Sequence, residues 1–247
     1  DPDQRFTVSQ YQRLASQAIE EILARGHLPL IVGGTGFYID ALLQSFDLPE
    51  ESSDGELRSM LAQRAANEGG HVLYRELLEV DPESGARIHP NDTRRIIRAL
   101  EVYYTTGRPM SALMRKGEPR YSAVMLALDV DREVLYKRIN ERVDRQVADG
   151  LIGEVAWLLE RYGDRLTTAR QALGYKEIIE YLEGRVSIDE ALDTLKRNTR
   201  RYAKRQLTWF RRYSDLRWLP ATTEEQVKVA IDSLKRIVEG IAGRSVE

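Results

Sequence analysis

The apolar positions of this chain follow a helical rhythm over most of its length and run continuously over only a few short stretches. Tyr11, Leu14, Ala15, Ala18, Ile19, Ile22 and Leu23 recur at helical spacing behind a Thr7-x-x-Gln10 capping box, and Gly26 ends the pattern. Leu28 to Val32 is then a continuous apolar run closed by Gly33, as expected of a buried parallel strand in an α/β domain. Ala123 to Val130 is a second such run, followed by Asp131 as the N-cap of a helix striped by Leu135, Ile139, Val143 and Val147. Leu216 to Leu219 predicts a last edge strand. A Thr222-x-x-Glu225 box predicts a final helix that buries Val227, Ala230, Ile231, Leu234, Ile237, Val238 and Ile241. A stripe as complete as that of the first helix needs a sheet to cover, so strands earlier than Leu28 and absent from this chain are expected.

Between the first two apolar runs the pattern is helical only. Ser53-x-x-Glu56 opens one helix, Pro82 sits in the first turn of another, and Asn91 or Asp92 caps a third that Gly107 ends. A crossover between parallel strands needs only about a dozen residues. Residues 47–120 are therefore expected to be an inserted helical subdomain, with 1–46 and 121–247 forming the α/β core.

At 247 residues the chain suffices for one large domain or for a core with an insertion. It lacks an apolar run long enough for a membrane-spanning helix and has no cysteine, which excludes disulfides and thiolate metal sites and is compatible with the cytoplasm. His27, His71 and His89 are too scattered to suggest zinc, and His89 before Pro90 reads as a turn residue rather than a base.

Charge changes the picture most. From Thr194 to Ser214 there is no acidic residue, while Lys196, Arg197, Arg200, Arg201, Lys204, Arg205, Arg211 and Arg212 are basic. Without them 29 basic residues face 39 acidic ones. The stretch also reads as a helix that starts at a Ser187-x-x-Glu190 box and buries Ala191, Leu192, Leu195, Tyr202, Ala203, Gln206 and Phe210. A run of charge is ordinarily a solvated face. Here the interspersed acids are missing, and the expected partners are phosphates, of RNA or of a small diphosphate.

Gly33-Gly34-Thr35-Gly36 stands at the carboxyl end of the first predicted strand, where open α/β sheets place their ligands. Its glycines would let the backbone turn and leave room for a substrate, and Thr35 offers a hydroxyl. A plain strand-to-helix turn remains the alternative. No Gly-x-x-x-x-Gly-Lys-Ser/Thr loop occurs in the sequence.

Several motifs in order resemble the tRNA dimethylallyltransferase family: Pro29 to Tyr38, Arg87-Ile88-His89-Pro90-Asn91-Asp92 with Arg94, Arg95 and Arg98 to Val102, Thr106-Gly107-Arg108-Pro109, Gly174-Tyr175-Lys176-Glu177, and Thr199 to Arg211. The resemblance implies a P-loop kinase-like α/β core with a parallel sheet, whose helical insertion clamps a tRNA anticodon stem-loop. It implies transfer of a dimethylallyl group from dimethylallyl diphosphate to the exocyclic amine of the adenosine 3′ of the anticodon, by a monomer in the cytoplasm. By that similarity Thr35 lines the reaction channel with Gly33 and Gly34 and orients the amine, and Arg200, aided by Arg211, meets the leaving diphosphate. Mg²⁺ would be held mainly through the diphosphate and the family's P-loop.

The resemblance further implies contact with tRNA by Arg58, Arg94, Arg95, Ile96, Ile97 and Arg98 of the insertion. It adds Gln171, Ala172, Leu173, Gly174, Tyr175 and Lys176. On the basic helix it adds Lys204, Arg205, Gln206, Leu207, Thr208, Trp209, Phe210 and Arg211. On the residues alone, Trp209 and Phe210 read as core anchors rather than base-stacking platforms.

The family's N-terminal P-loop and its Asp-Ser motif, which holds the expected general base, are not matched. The chain is thus expected to be the C-terminal part of such an enzyme and inactive alone. Two rivals share part of the pattern. A prenyltransferase acting on free adenine nucleotides would not need the clamp, and a non-catalytic RNA-binding domain would not need the glycine loop.

Overall fold

The computed structural model describes residues 1–44, 46–47, 55–115 and 117–242. It divides into two compact units, one formed by residues 7–18 and 37–122 and the other by 1–6, 19–36 and 123–247. Ser53, the expected cap of the first inserted helix, lies outside the described residues.

The first unit is helical. Helix α1 (Val8–Ala24) starts at the predicted box, with the Thr7 amide donating to Gln10 Oε1 at 2.9 Å and the Gln10 amide to Thr7 Oγ1 at 3.2 Å. Tyr11 stacks on Tyr38 of α2 (Gly36–Leu43), ring centroids 4.4 Å apart, and Gln12 donates to the Ala41 carbonyl. These contacts join the first part of α1 to α2, and both fall in the compact unit that holds the helices up to Ser122. Helices α3 (Gly55–Glu68), α4 (Gly70–Val80) and α6 (Thr93–Thr106) bury Leu61, Leu73, Leu77, Ile96 and Leu100 completely in one cluster.

Asp81 accepts from the Ser84 amide to cap α5 (Pro82–Arg87) and from the Ser111 amide of α7 (Met110–Leu113), both at 3.0 Å. Asp92 caps α6, and Gly107 ends it with a φ of 68° that only glycine adopts freely. Gln44 bridges Pro119 and the Arg120 amide donates to the Leu43 carbonyl. The two ends of the stretch from Leu43 to Arg120 are therefore neighbours within this unit.

The second unit is α/β. Strand β1 (Leu126–Asp129) pairs in parallel with β2 (Arg217–Pro220), Leu126 opposite Arg217 and Asp129 opposite Pro220. The unit also holds α8 (Arg132–Ala148), capped by Asp131, then α9 (Leu151–Tyr162), α10 (Tyr175–Leu182), α11 (Ile188–Phe210) and α12 (Glu224–Ala242), of which α12 packs on β2. Val155, Ile178 and Ile179 form the centre of a cluster to which α9, α10 and α11 contribute. The Ser187–Glu190 box opens α11 as predicted. That of α12 is shifted by one residue, because Thr222 Oγ1 accepts from the Asp131 amide and leaves Thr223 and Gln226 to form the cap.

The predicted strand Leu28–Val32 does not form. The described strands pair only with each other, and Leu30 and Val32 are 64% and 87% exposed. Continuous hydrophobicity can mark a strand, but the ladder that holds one must come from a neighbour.

Candidate functional site

The glycine loop is fastened to the basic helix. Gln206 donates to the Gly34 carbonyl at 2.9 Å. A Cβ on Gly34 would come within 2.2 Å of Gln206 Nε2, and one on Gly36 within 2.1 Å of Trp209 Cδ1. The glycines are thus required by close approach of α11. The side chains of Gln206 and Trp209 occupy the space beside Gly34 and Gly36, whereas a Cβ on Gly33 would meet nothing within 4 Å. Thr35, between the two contacts, is exposed, and its hydroxyl makes no hydrogen bond among the described residues.

Helix α11 carries its positive charge largely uncompensated. Lys196 pairs with Asp144 at 2.5 Å. Arg197, Arg200, Arg201, Lys204, Arg205 and Arg211 pair with no carboxylate among the described residues. Arg205 lies over the Tyr202 ring at 5.6 Å. Leu207 and Phe210 are half-buried and Thr208 donates to the Lys204 carbonyl, so of the stretch 204–211 the cations Lys204, Arg205 and Arg211 are the side chains best presented to a polyanion.

Arg200 is set apart from the others by its surroundings. It donates to Asn140 Oδ1 at 2.7 Å and sits over the Tyr136 ring, whose other cationic neighbour is Arg132 at 5.2 Å. Asn140 and Tyr136 lie one turn apart on α8, so this helix orients a half-buried guanidinium whose remaining donors have no acidic partner. Neither residue is conspicuous in the sequence.

The segment 171–176 is shaped by a buried carboxylate. Glu177, 5% exposed, accepts from the Gly174 amide at 3.0 Å and from Asn198 of α11 at 2.8 Å. Gly174 takes a φ of 102° that disfavours any side chain. Gln171, Leu173 and Lys176 line a cavity of about 530 Å³ with Asn198, Tyr202 and Arg205, and Ala172 is exposed beside them. Tyr175 points elsewhere: its hydroxyl donates to Glu154, and that bond, followed by burial, holds the phenol up at about 12.

The candidate residues of the helical unit divide. Ile96 and Ile97 are 0% and 9% exposed in the core cluster. Their side chains belong to the packing of α6, which leaves the exposed side chains of this stretch to the arginines around them. Arg94 is exposed without an ionic partner among the described residues, and Arg95 pairs with Asp92 at 3.4 Å. Arg58 and Arg98 both bond to Glu101, at 2.7 and 3.1 Å, a residue that the sequence reading passed over. Its signal is an acid placed four residues after Ile97 and next to Leu100, on the apolar side of α6.

A glycine loop clasped by the acid-free, basic second half of α11, in a chain that also carries a helical unit, defines an α/β protein with concentrated positive charge beside that loop. The chain belongs to the IPP transferase family, whose model matches residues 1–213. It is 49% identical over 243 residues to the tRNA dimethylallyltransferase of Geobacillus thermodenitrificans, covering 97% of this chain and 76% of the relative. The full-length tRNA isopentenylpyrophosphate transferase of Bacillus halodurans is 40% identical with a TM-score of 0.65, covering 100% of this chain and 78% of that one. A eukaryotic dimethylallyltransferase solved acting on tRNA is 28% identical with a TM-score of 0.73, over 92% of this chain and 59% of its own.

Proposed function

We propose that the protein carrying this chain transfers a dimethylallyl group from dimethylallyl diphosphate to the exocyclic amine of the adenosine 3′ of the anticodon in tRNA. The observation that carries this reading is the fastening of α11 to the glycine loop, which holds the loop bearing the exposed Thr35 to a helix on which Arg197, Arg200, Arg201, Lys204 and Arg205 pair with no carboxylate among the described residues. The names of the relatives support it.

In the reaction the amine lone pair attacks the allylic carbon, the carbon–oxygen bond to the diphosphate breaks with its electrons, and the amine gives up a proton. Thr35 orients the amine through a hydrogen bond, which matters most where the new bond forms. Arg200, aimed by Asn140 and Tyr136, neutralises the departing diphosphate, because its charge is permanent and its fork can bind two oxygens. Lys204, Arg205, Arg211 and the cavity beside Lys176 hold the RNA while the adenosine is extruded from its loop. Mg²⁺ would be held mainly through the diphosphate and the family's P-loop, and the charge neutralisation assigned to this chain is that of arginine. On this reading the exposed apolar run Leu30–Val32 is the edge at which further strands of a P-loop kinase-like core pair.

Labelled dimethylallyl diphosphate supplied with tRNA or with AMP tests the proposal. Transfer to tRNA at the adenosine 3′ of the anticodon is expected. Transfer to AMP alone would make the protein a free-nucleotide prenyltransferase, and RNA binding without transfer would leave only an RNA-binding domain.

A further inference from the structure

In the helical unit one side chain is buried at odds with its charge. The Glu101 carboxylate is 0% exposed, and a buried carboxylate survives only when paired and hydrogen-bonded. Its partners do not share its two oxygens. Arg58 Nη2 from α3 and Arg98 Nη1 from α6 both donate to Oε2, at 2.7 and 3.1 Å, while Oε1 accepts no hydrogen bond among the described residues. Two guanidiniums that repel each other are thereby drawn to a single point on two helices of a fully packed cluster. Arg58 and Arg98 remain 47% and 42% exposed, so each keeps donors turned to solvent. The trio carries one net positive charge, and Arg94, one turn before Arg98, adds a cation on α6 with no acidic partner among the described residues.

We propose that Arg58 and Arg98 form a preset site for one backbone phosphate of RNA, and that Glu101 is its positioning residue. The site rests on the tRNA reading above and deepens it by naming which group of the RNA the helical unit holds. A phosphate offers several acceptor oxygens to two guanidiniums side by side, and its charge neutralises that of the trio. Glu101 does not touch the RNA. It removes the rotamer freedom that two long side chains would otherwise lose on binding.

The sign of the effect separates this from simple electrostatics. Removing an acid raises net positive charge, so a Glu101 that merely competes with RNA for the arginines would, when changed to Gln, tighten binding and steepen its salt dependence. A positioning Glu101 does the reverse. Binding of an anticodon stem-loop RNA to the protein, titrated with salt, should show Glu101→Gln weakening affinity about tenfold, as expected for a charged hydrogen bond, and lowering the slope of log K against log salt by about 0.7 to 0.9. Adding Glu101→Gln to an Arg58→Gln/Arg98→Gln background should cost nothing further. Arg58→Lys, a change at a half-exposed position that keeps the charge but loses the fork, should weaken binding comparably and decides the matter if Glu101→Gln does not fold. Equal or tighter binding by Glu101→Gln, a further loss in the double-arginine background, or full affinity in Arg58→Lys would overturn the proposal. Lys204→Gln serves as the reference. If it weakens binding while the helical-unit variants do not, the phosphate site alone fails; if no variant matters, the tRNA reading fails with it.

Discussion

In the helical unit Arg58 and Arg98 lean on a carboxylate shut off from solvent, whereas along α11 and at its C-cap Arg201, Lys204 and Arg211 have no acidic partner among the described residues. The first arrangement fixes where positive charge stands, and the second leaves it free to follow a ligand. Fixed arginines suit a contact that must set register, while free cations raise affinity broadly and yield to salt. Arg200 stands between these modes, because Asn140 and Tyr136 orient it without cancelling its charge. An enzyme that must both grip an RNA and release a diphosphate needs all three.

The comparison is broken most severely at the loop that α11 holds. Thr35→Ala should lower kcat about 100-fold, the usual effect of losing one oriented hydrogen bond at a reacting centre, while tRNA affinity stays near that of the parent. Collapse of affinity with kcat preserved would make Thr35 a turn residue. Next in size is Gly36→Ala. Its Cβ would meet the Trp209 ring, which cannot swing aside as a flexible chain end can, and a loss of about 1–3 kcal/mol in denaturant unfolding is expected. Gly34→Ala should cost less, since it meets only the end of the Gln206 side chain. Equal losses would contradict the packing described for Trp209.

Acid sharpens the contrast from the side of the helical unit. Burial pushes the Asp81 carboxyl up, but hydrogen bonds from Ser111 and Ser84 outweigh it, and its pKa lies below the ordinary aspartate value. Stability from a depressed carboxyl is fully present above the unfolded value of about 3.9 and is lost as pH falls through the folded value. The difference in Tm between the parent and Asp81→Asn should therefore be constant near neutrality and shrink once the pH falls below about 4. A difference that grew with acid would refute the assignment.

What could be read from the sequence was mostly local. The boxes at Thr7 and Ser187 and the caps at Asp92 and Asp131 depend on residues a few positions apart, and all four form. The shift from Thr222 to Thr223 came from a distant amide, that of Asp131. Leu28–Val32 has the composition of a strand, but its ladder requires a neighbour that periodicity does not supply. The site divides the same way. The acid-free stretch of α11 was plain as a run of charge, whereas the clasp of Gln206 and Trp209 on the glycines joins segments far apart in the chain. Motif likeness swept in Ile96 and Ile97 with the arginines around them, although their helical phase puts them in the core.

The smallest expected effect is also the most direct test of the division of labour on α11. Salt titrations of tRNA binding should show Lys204→Gln and Arg205→Gln each reducing the slope of log K against log salt by about 0.7 to 0.9, with matched and mismatched tRNAs affected alike. Arg200→Gln should leave that slope intact and depress dimethylallyl diphosphate affinity and turnover. Unchanged slope and affinity in the Lys204 and Arg205 variants would contradict the account and reduce α11 to a solvated cationic face.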